Sequence, residues 1–274
     1  MNLRPFSAGW IILTLVILGG TAGSVSAEER FRLIPGAGFL LGMESGFFWL
    51  SGEMLIPAGG QPGSGSKVDL PSDLGVDSCE AFGATLQGTI LDRHLFNLDL
   101  LSVGPSGLKR VPRTFIFHNK TYLQGTLIAT KLNLDWVRFC YTYKAADSGS
   151  WWAAPRIGLH YVQCATTLNG ETAEAGMISN SRTLDAAYPV FGFEARYLFP
   201  FGVDIGMEWE AVHLITLGYL SFARVAAHWE VHPDVVLFMG LSNRLVGRTE
   251  DNQKLNNEWF YSLSGWSAGI SFAF

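Results

Sequence analysis

After residue 27 the chain has no apolar run approaching the ~20 residues that carry a helix across a bilayer, although 48% of its residues are hydrophobic. Basic residues are too few for a nucleic-acid partner: Lys and Arg number 19 against 24 acids, and the formal net charge is −5, without the basic stripe such recognition needs. Cysteine is scarce, with Cys79, Cys140 and Cys164 an odd count of 3, so at least one stays unpaired in an oxidising compartment. Neither Cys-x-x-Cys nor His-Glu-x-x-His occurs, and His118, His160, His228 and His232 are too scattered for a metal centre. No Gly-rich phosphate loop follows a strand, and no cofactor is expected. What remains is alternation of apolar and polar residues, the pattern of strands.

Met1 to Arg4 is a short positive region, Trp10 to Leu18 is apolar, and Val25-Ser26-Ala27 offers small residues for cleavage. Residues 1–27 therefore read as a secretory signal peptide, and residues 28–274 as one domain. Ten alternating segments follow: Gly46 to Ile56, Ala81 to Leu91, His94 to Val103, Leu132 to Ala145, Trp152 to Leu168, Ala186 to Leu198, Gly202 to His213, Leu217 to Val231, Val235 to Gly247 and Trp259 to Phe274. Short connections (Asp92-Arg93, Ala146 to Trp151, Phe199 to Phe201, His232 to Asp234) alternate with longer ones (Pro57 to Glu80, Gly104 to Lys131, Asn169 to Asp185, Arg248 to Glu258). Leu214 to Thr216 is the tight exception. An even count with this alternation predicts an all-β transmembrane barrel, antiparallel and up-and-down, with about ten strands and its short turns in the periplasm. Closure leaves no unpaired strand edge in lipid.

The chain ends in a strand with Trp266, Ala268, Ile270, Phe272 and Phe274 on one face. Gly269, Phe272 and the terminal Phe274 resemble the signal by which Gram-negative outer-membrane β-barrels are recognised for assembly. That resemblance implies the outer membrane, its lipid and lipopolysaccharide as surroundings, and the barrel-assembly machinery as a partner in biogenesis. Lys67 to Asp77, with its Asp-Leu and Asp-Leu-Gly, is similar to a segment in a group of uncharacterised proteobacterial outer-membrane β-barrels. Phe115 and Phe117, then Tyr141 and Tyr143, extend the likeness, which implies no activity.

Alternation assigns the faces. Lipid-facing sets include Phe82, Leu86 and Ile90; Phe96, Leu98 and Leu100; Leu132, Leu134 and Trp136; Phe191, Phe193 and Tyr197; Ile205, Met207 and Trp209; and Val225 and Trp229. Trp209, Tyr219, Trp229, Trp259 and Trp266 fall towards strand ends, where interfacial belts form. Inward sets carry Ser51 and Glu53; Asn97 and Asp99; Asn133 and Asp135; Arg156 and His160; Glu194 and Arg196; Asp204, Glu208 and Glu210; Arg224 and His228; and Ser242, Arg244 and Arg248. Folding about Pro200 sets Arg196 opposite Asp204 and Glu194 near Gly206. The lumen charge network is expected at Glu194, Arg196, Asp204, Glu208, Arg224 and His228, forming a side-chain-filled interior in preference to a conducting path. Arg138 is the misfit, because its parity points to lipid, at a cost of roughly 2–4 kcal/mol mid-membrane. Cys140 falls opposite about position 158, out of register with Cys164.

No catalytic residue is assigned. Met239 to Asn243 looks like the His-x-Ser-Asn strand of lipid A deacylases, but Gly240 stands where the base would be, and Ser242 without a base is a weak nucleophile. His213 at a strand end lacks a nucleophile at triad spacing. The loop bearing Lys109, Arg110, Arg113 and Lys120 is a candidate contact for lipopolysaccharide phosphates. The expected function is an integral outer-membrane barrel with a structural or surface-interaction role and no enzymatic activity. A lipid-modifying enzyme and a narrow solute pore are the alternatives.

Overall fold

The structure, a computed structural model, describes residues 37–56, 65–214, 218–252 and 255–274; the expected signal peptide, residues 1–27, and the expected tight connection at 214–216, beyond Leu214 itself, lie outside them. Ten long strands form the wall: β1 (Ala37–Leu55), β2 (Ser78–Ile90), β3 (His94–Val103), β4 (Leu127–Tyr143), β5 (Trp151–Thr172), β6 (Gly176–Leu198), β7 (Val203–Leu214), β8 (Gly218–His232), β9 (Val235–Asn252) and β10 (Leu255–Ala273). Each pairs antiparallel with the next, and β10 returns to β1, so the sheet closes on itself. The last strand lies in this seam with Phe272 opposite Leu41 on one side and Val235 on the other.

β5 and β6 run 22 and 23 residues, about twice the ~9–11 residues that cross a bilayer. The wall therefore stands well beyond the membrane, and two expected loops are hairpins: pairing continues to Thr172 with Gly176 and to Asn252 with Leu255. The protruding part changes character face by face. On β4, Lys131, Asn133 and Asp135 point outwards above Val137, Phe139 and Tyr141; on β1, Ser51 and Glu53 stand outside above Phe47 and Trp49. Ser102 Oγ donates to Asp135 on this outer face at 2.7 Å, and Lys67 pairs with Glu53.

Four expectations are thereby corrected. Ser51, Glu53, Asn133 and Asp135 face solvent and not the lumen. Leu132, Leu134 and Trp136 are inside, at 0%, 1% and 3% exposure. Arg138 shares their face and is also inside. Trp259 belongs to no interfacial belt, being 2% exposed within the barrel, whereas Trp209, Trp229 and Trp266 are on the outside as expected. The common cause is that a wall in water must bury its apolar face inwards, whereas the same wall in hydrocarbon exposes it.

The upper interior is packed as a core. Phe48, Met54, Leu134, Trp136, Tyr188 and Trp259 fill it from the wall, and Leu70, Leu74, Phe115 and Phe117 enter from the outer loops. The five-residue helix α1 (Leu70–Leu74) closes the top. Asp69 caps it by accepting from the Ser72 amide at 2.7 Å, Pro71 suits its first turn, and Gly75 ends it at φ 71°. A hairpin of Phe115–Phe117 with Lys120–Tyr122 lies at the upper end of β5, where the Ala173 amide donates to the Thr121 carbonyl at 3.0 Å. All three cysteines are buried and free, and Cys140 lies opposite Gly158 as its register predicts.

Candidate functional site

Beneath the apolar plug, inward positions on β3 to β7 converge in an ionic layer. Arg138 on β4 reaches Asp99 on β3 at 2.7 Å, and Glu208 and Glu210 on β7 at 2.8 and 3.3 Å. Arg156 on β5 meets Glu194 at 2.9 Å and Glu210 at 3.2 Å, also pairs with Glu208, and donates from Nε to Thr142 Oγ1 at 2.9 Å. These bonds cross the lumen as well as the wall, tying β3 and β4 to β7. Burial of Arg138 and Arg156 is tolerable because every nitrogen of both side chains has a partner; removing one member would leave the others uncompensated. A second tie joins Arg224 on β8 to Glu44 on β1 at 3.2 Å, with Ser267 Oγ donating to the same carboxylate at 3.0 Å. Gly83 on β2 makes room for it: a Cβ there would lie 2.8 Å from Glu44 Cγ.

Of the six residues assigned to the lumen network, all point inwards; Glu194, Arg196, Asp204, Glu208 and His228 take part in its ion pairs, whereas Arg224 pairs separately with Glu44, and one expected partner changes. Across β6 and β7, Arg196 faces Gly206 and Glu194 faces Glu208, two residues from the expected pairing because the turn runs to Gly202. Arg196 accordingly bonds Glu194 at 3.0 Å and stands 4.0 Å from Asp204, which is held by His228 Nδ1 at 2.8 Å. The sequence reading missed Arg138 as the hub and Glu44 altogether. A signal for Arg138 was present: an Arg in step with Leu132, Leu134 and Trp136 argues that this face points inwards, where its charge finds partners.

Cys140, His160 and Glu210 place three metal-ligating atom types within 4.8 Å of one another. The hydrogen bonds speak for a different role. Trp136 Nε1 donates to His160 Nδ1 at 3.0 Å, so the ring proton resides on Nε2, which faces Glu210. Neither ring nitrogen then has a free lone pair, and Arg138 and Arg156 already neutralise Glu210. His160 is a fastening between the ionic layer and the Trp136 side of the plug.

Below the ionic layer lies a cavity of about 320 Å³, reaching the end of the barrel where Gly38, Ala273 and Phe274 are found; Arg196, Asp204, Arg224 and His228 are on its wall. This is the end with the short turns, the periplasmic one by the rule for bacterial barrels. His213 projects from the outer surface with its ring 6.2 Å from Tyr219. Lys109 donates to the Pro71 carbonyl at 2.9 Å and Arg113, half exposed, pairs with Asp73 at 2.7 Å, both tied to the cap helix, whereas Arg110 reaches the Gly125 carbonyl at 3.0 Å on the surface. Burial raises the Asp73 carboxyl pKa, but the Arg113 side chain and the Asp69 amide outweigh it and hold it below its ordinary value.

No family model and no curated protein matches this sequence. Among solved structures, the outer membrane protease OmpT from Escherichia coli aligns with a TM-score of 0.62 at 9% identity, covering 90% of this chain and 100% of its own. Ail, the attachment invasion locus protein of Yersinia pestis, aligns with a TM-score of 0.37 at 9% identity, covering 86% of this chain and 99% of its own. The fold is that of a Gram-negative outer-membrane β-barrel. The apolar lower band is the surface that such a barrel presents to the hydrocarbon of the outer membrane.

Proposed function

We propose that this chain is a sealed outer-membrane barrel with a structural or surface-interaction role, neither conducting solutes nor catalysing a reaction. The observation that carries this reading is the apolar plug over the ionic layer, which leaves the external half of the lumen packed with side chains such as Trp136, Trp259 and Phe117. Planar-bilayer recording of the folded protein should show no discrete conductance steps, and reproducible steps would overturn it.

Its outer end supports the interactive part of the role. Leu108 is 68% and Met177 76% exposed there, far above the apolar band, where lipid does not cover them. Of the four basic residues proposed to meet lipopolysaccharide, Lys109 and Arg113 are engaged within the cap, so Arg110 and Lys120 carry that contact. The barrel-assembly machinery remains the proposed biogenesis partner. Phe272 and Phe274 face outwards, and Gly269 lets Phe238 pack where a Cβ would lie 2.4 Å from its ring. Deleting Phe274 should lower the assembled, heat-modifiable form in membranes.

A lipid-modifying activity at His213 gains no support from its surroundings, a tyrosine ring on the outer wall. Unchanged lipid A mass spectra on deletion and overexpression would agree with the non-catalytic reading; a modified lipid A would reverse it.

A further inference from the structure

The ionic layer is not uniformly satisfied. Its carboxylates are committed: Asp99 accepts from Arg138 at 2.7 Å and from Thr85 Oγ1 at 2.7 Å, Glu208 is shared by Arg138 and Arg156, and Asp204 is taken by His228. Two arginines on the cavity wall are not. Arg196 spends its Nε on Glu194 at 3.0 Å, with its Nη1 still 4.0 Å from Asp204. Arg224 spends one Nη2 bond on Glu44 at 3.2 Å. Each guanidinium offers five N–H donors in a planar fork, so most of the donors of both are left over. Rings keep the forks in place, since Arg196 lies 5.7 Å from the Trp152 centroid and Arg224 5.2 Å from that of Phe238.

Register brings these groups to one patch. Arg196 faces Gly206, Asp204 faces His228 and Glu208 faces Arg224 across neighbouring strands. Gly206 lies behind the Arg196 and His228 side chains: a Cβ there would stand 3.4 Å from Arg196 Cγ and 3.6 Å from His228 Cε1. A patch with surplus donors and spent acceptors is complementary to a ligand rich in acceptors, and a planar fork matches carboxylate or phosphate oxygens in particular. The cavity, about 320 Å³, is at the small end of the ~300–1,000 Å³ typical of small-molecule sites. With the outer half plugged, it is reached from the periplasm.

We propose that this cavity is a binding site for a small carboxylate- or phosphate-bearing anion, held by Arg196 and Arg224. Isothermal titration of the full-length folded barrel in detergent micelles, with inorganic phosphate and with succinate in separate runs, tests it and tells the two chemistries apart. Saturable binding of at least one probe is expected, weakened about tenfold by Arg196→Gln and by Arg224→Gln and unchanged by Lys131→Gln on the outer wall of β4. Heat-modifiability reports whether each variant is assembled. Should a glutamine variant not assemble, Gly206→Val decides, because it removes no charge and narrows the space between Arg196 and His228: lost binding supports the site, and retained binding overturns it. Absence of saturable binding by both probes, or equal affinity in assembled glutamine variants, also overturns it.

Discussion

The membrane half and the external half of this barrel are built from the same strands with opposite rules. On β4, residues outside the wall change from Lys131, Asn133 and Asp135 to Val137, Phe139 and Tyr141, while residues inside change from Leu132, Leu134 and Trp136 to Arg138, Cys140 and Thr142. Both faces swap polarity at one level. In water the external half behaves as a small globular barrel, drawing its apolar side chains inwards by the hydrophobic effect. In hydrocarbon that gradient is absent, and the interior of the lower half is held by ion pairs and hydrogen bonds. Solvent decides which face is polar; alternation records only that the two faces differ.

The largest expected effects come from removing the centre of each half. Arg156→Ala leaves Glu194, Glu208 and Glu210 buried without their shared cation, and should lower stability by about 3–5 kcal/mol, read as the urea midpoint of the folded form in micelles. Arg196→Ala should follow in the same direction and exceed Lys120→Ala, since Arg196 bonds the fully buried Glu194 and Lys120 lies in the cap. A midpoint for Arg156→Ala equal to that of the parent would mean the ionic layer does not hold the lower half together.

Trp136→Ala tests the external half by opening its core, at about 3–5 kcal/mol. Its chain neighbour Asp135, on the other side of the wall, should change stability by only about 0.5 kcal/mol when replaced by Ala. Equal shifts for this adjacent pair would contradict the inversion.

How far the sequence could be read follows the same division. Strand number, closure, the short turns and the inward charges of β6, β7 and β8 were legible because in those segments the apolar residues meet lipid. On β4 and at the end of β1 the same inference put Trp136 outside and Glu53 inside, since nothing in a period of two marks where the wall leaves the membrane. Lys131, Asn133 and Asp135 in one register, ahead of Phe139 and Tyr141 in the same register, were the available sign of that level. The cavity was not legible at all. It depends on which donors remain unspent after Glu44 reaches Arg224 across 180 positions of chain, a pairing that only closure creates.

A charge scan along one face of β4 locates the boundary with a smaller effect. Phe139→Lys places an ammonium against hydrocarbon and should cost roughly 2–4 kcal/mol at mid-membrane depth. Asn133→Lys, three turns of the pleat higher on the same face, should be nearly neutral because Lys131 already stands there in water. If both variants assembled equally well in lipid vesicles, the apolar band would not be where the lipid lies.

The smallest effect concerns the cap and pH. Burial pushes the Asp73 carboxyl up, but Arg113 and the Asp69 amide together outweigh it and hold the group below its ordinary value of 3.8. A carboxyl depressed in the folded state contributes stability that is complete above its unfolded pKa and is lost as pH falls through the folded one. The docking of α1 on the barrel should therefore be unaffected from neutrality down to about pH 4, the usual carboxylate range, and loosen below it, with the amides of Asp69 and Ser72 exchanging faster. Because Arg113 is half exposed, water screens the pair and the change should be confined to the cap. Arg113→Gln should shrink that pH dependence, because the folded-state carboxyl then loses its main lowering partner, while the amides of β7, far below in the ionic layer, keep their protection. Loss of protection in β7 at the same pH as in α1 would show that the two halves titrate as one body and that the division between them is not energetic.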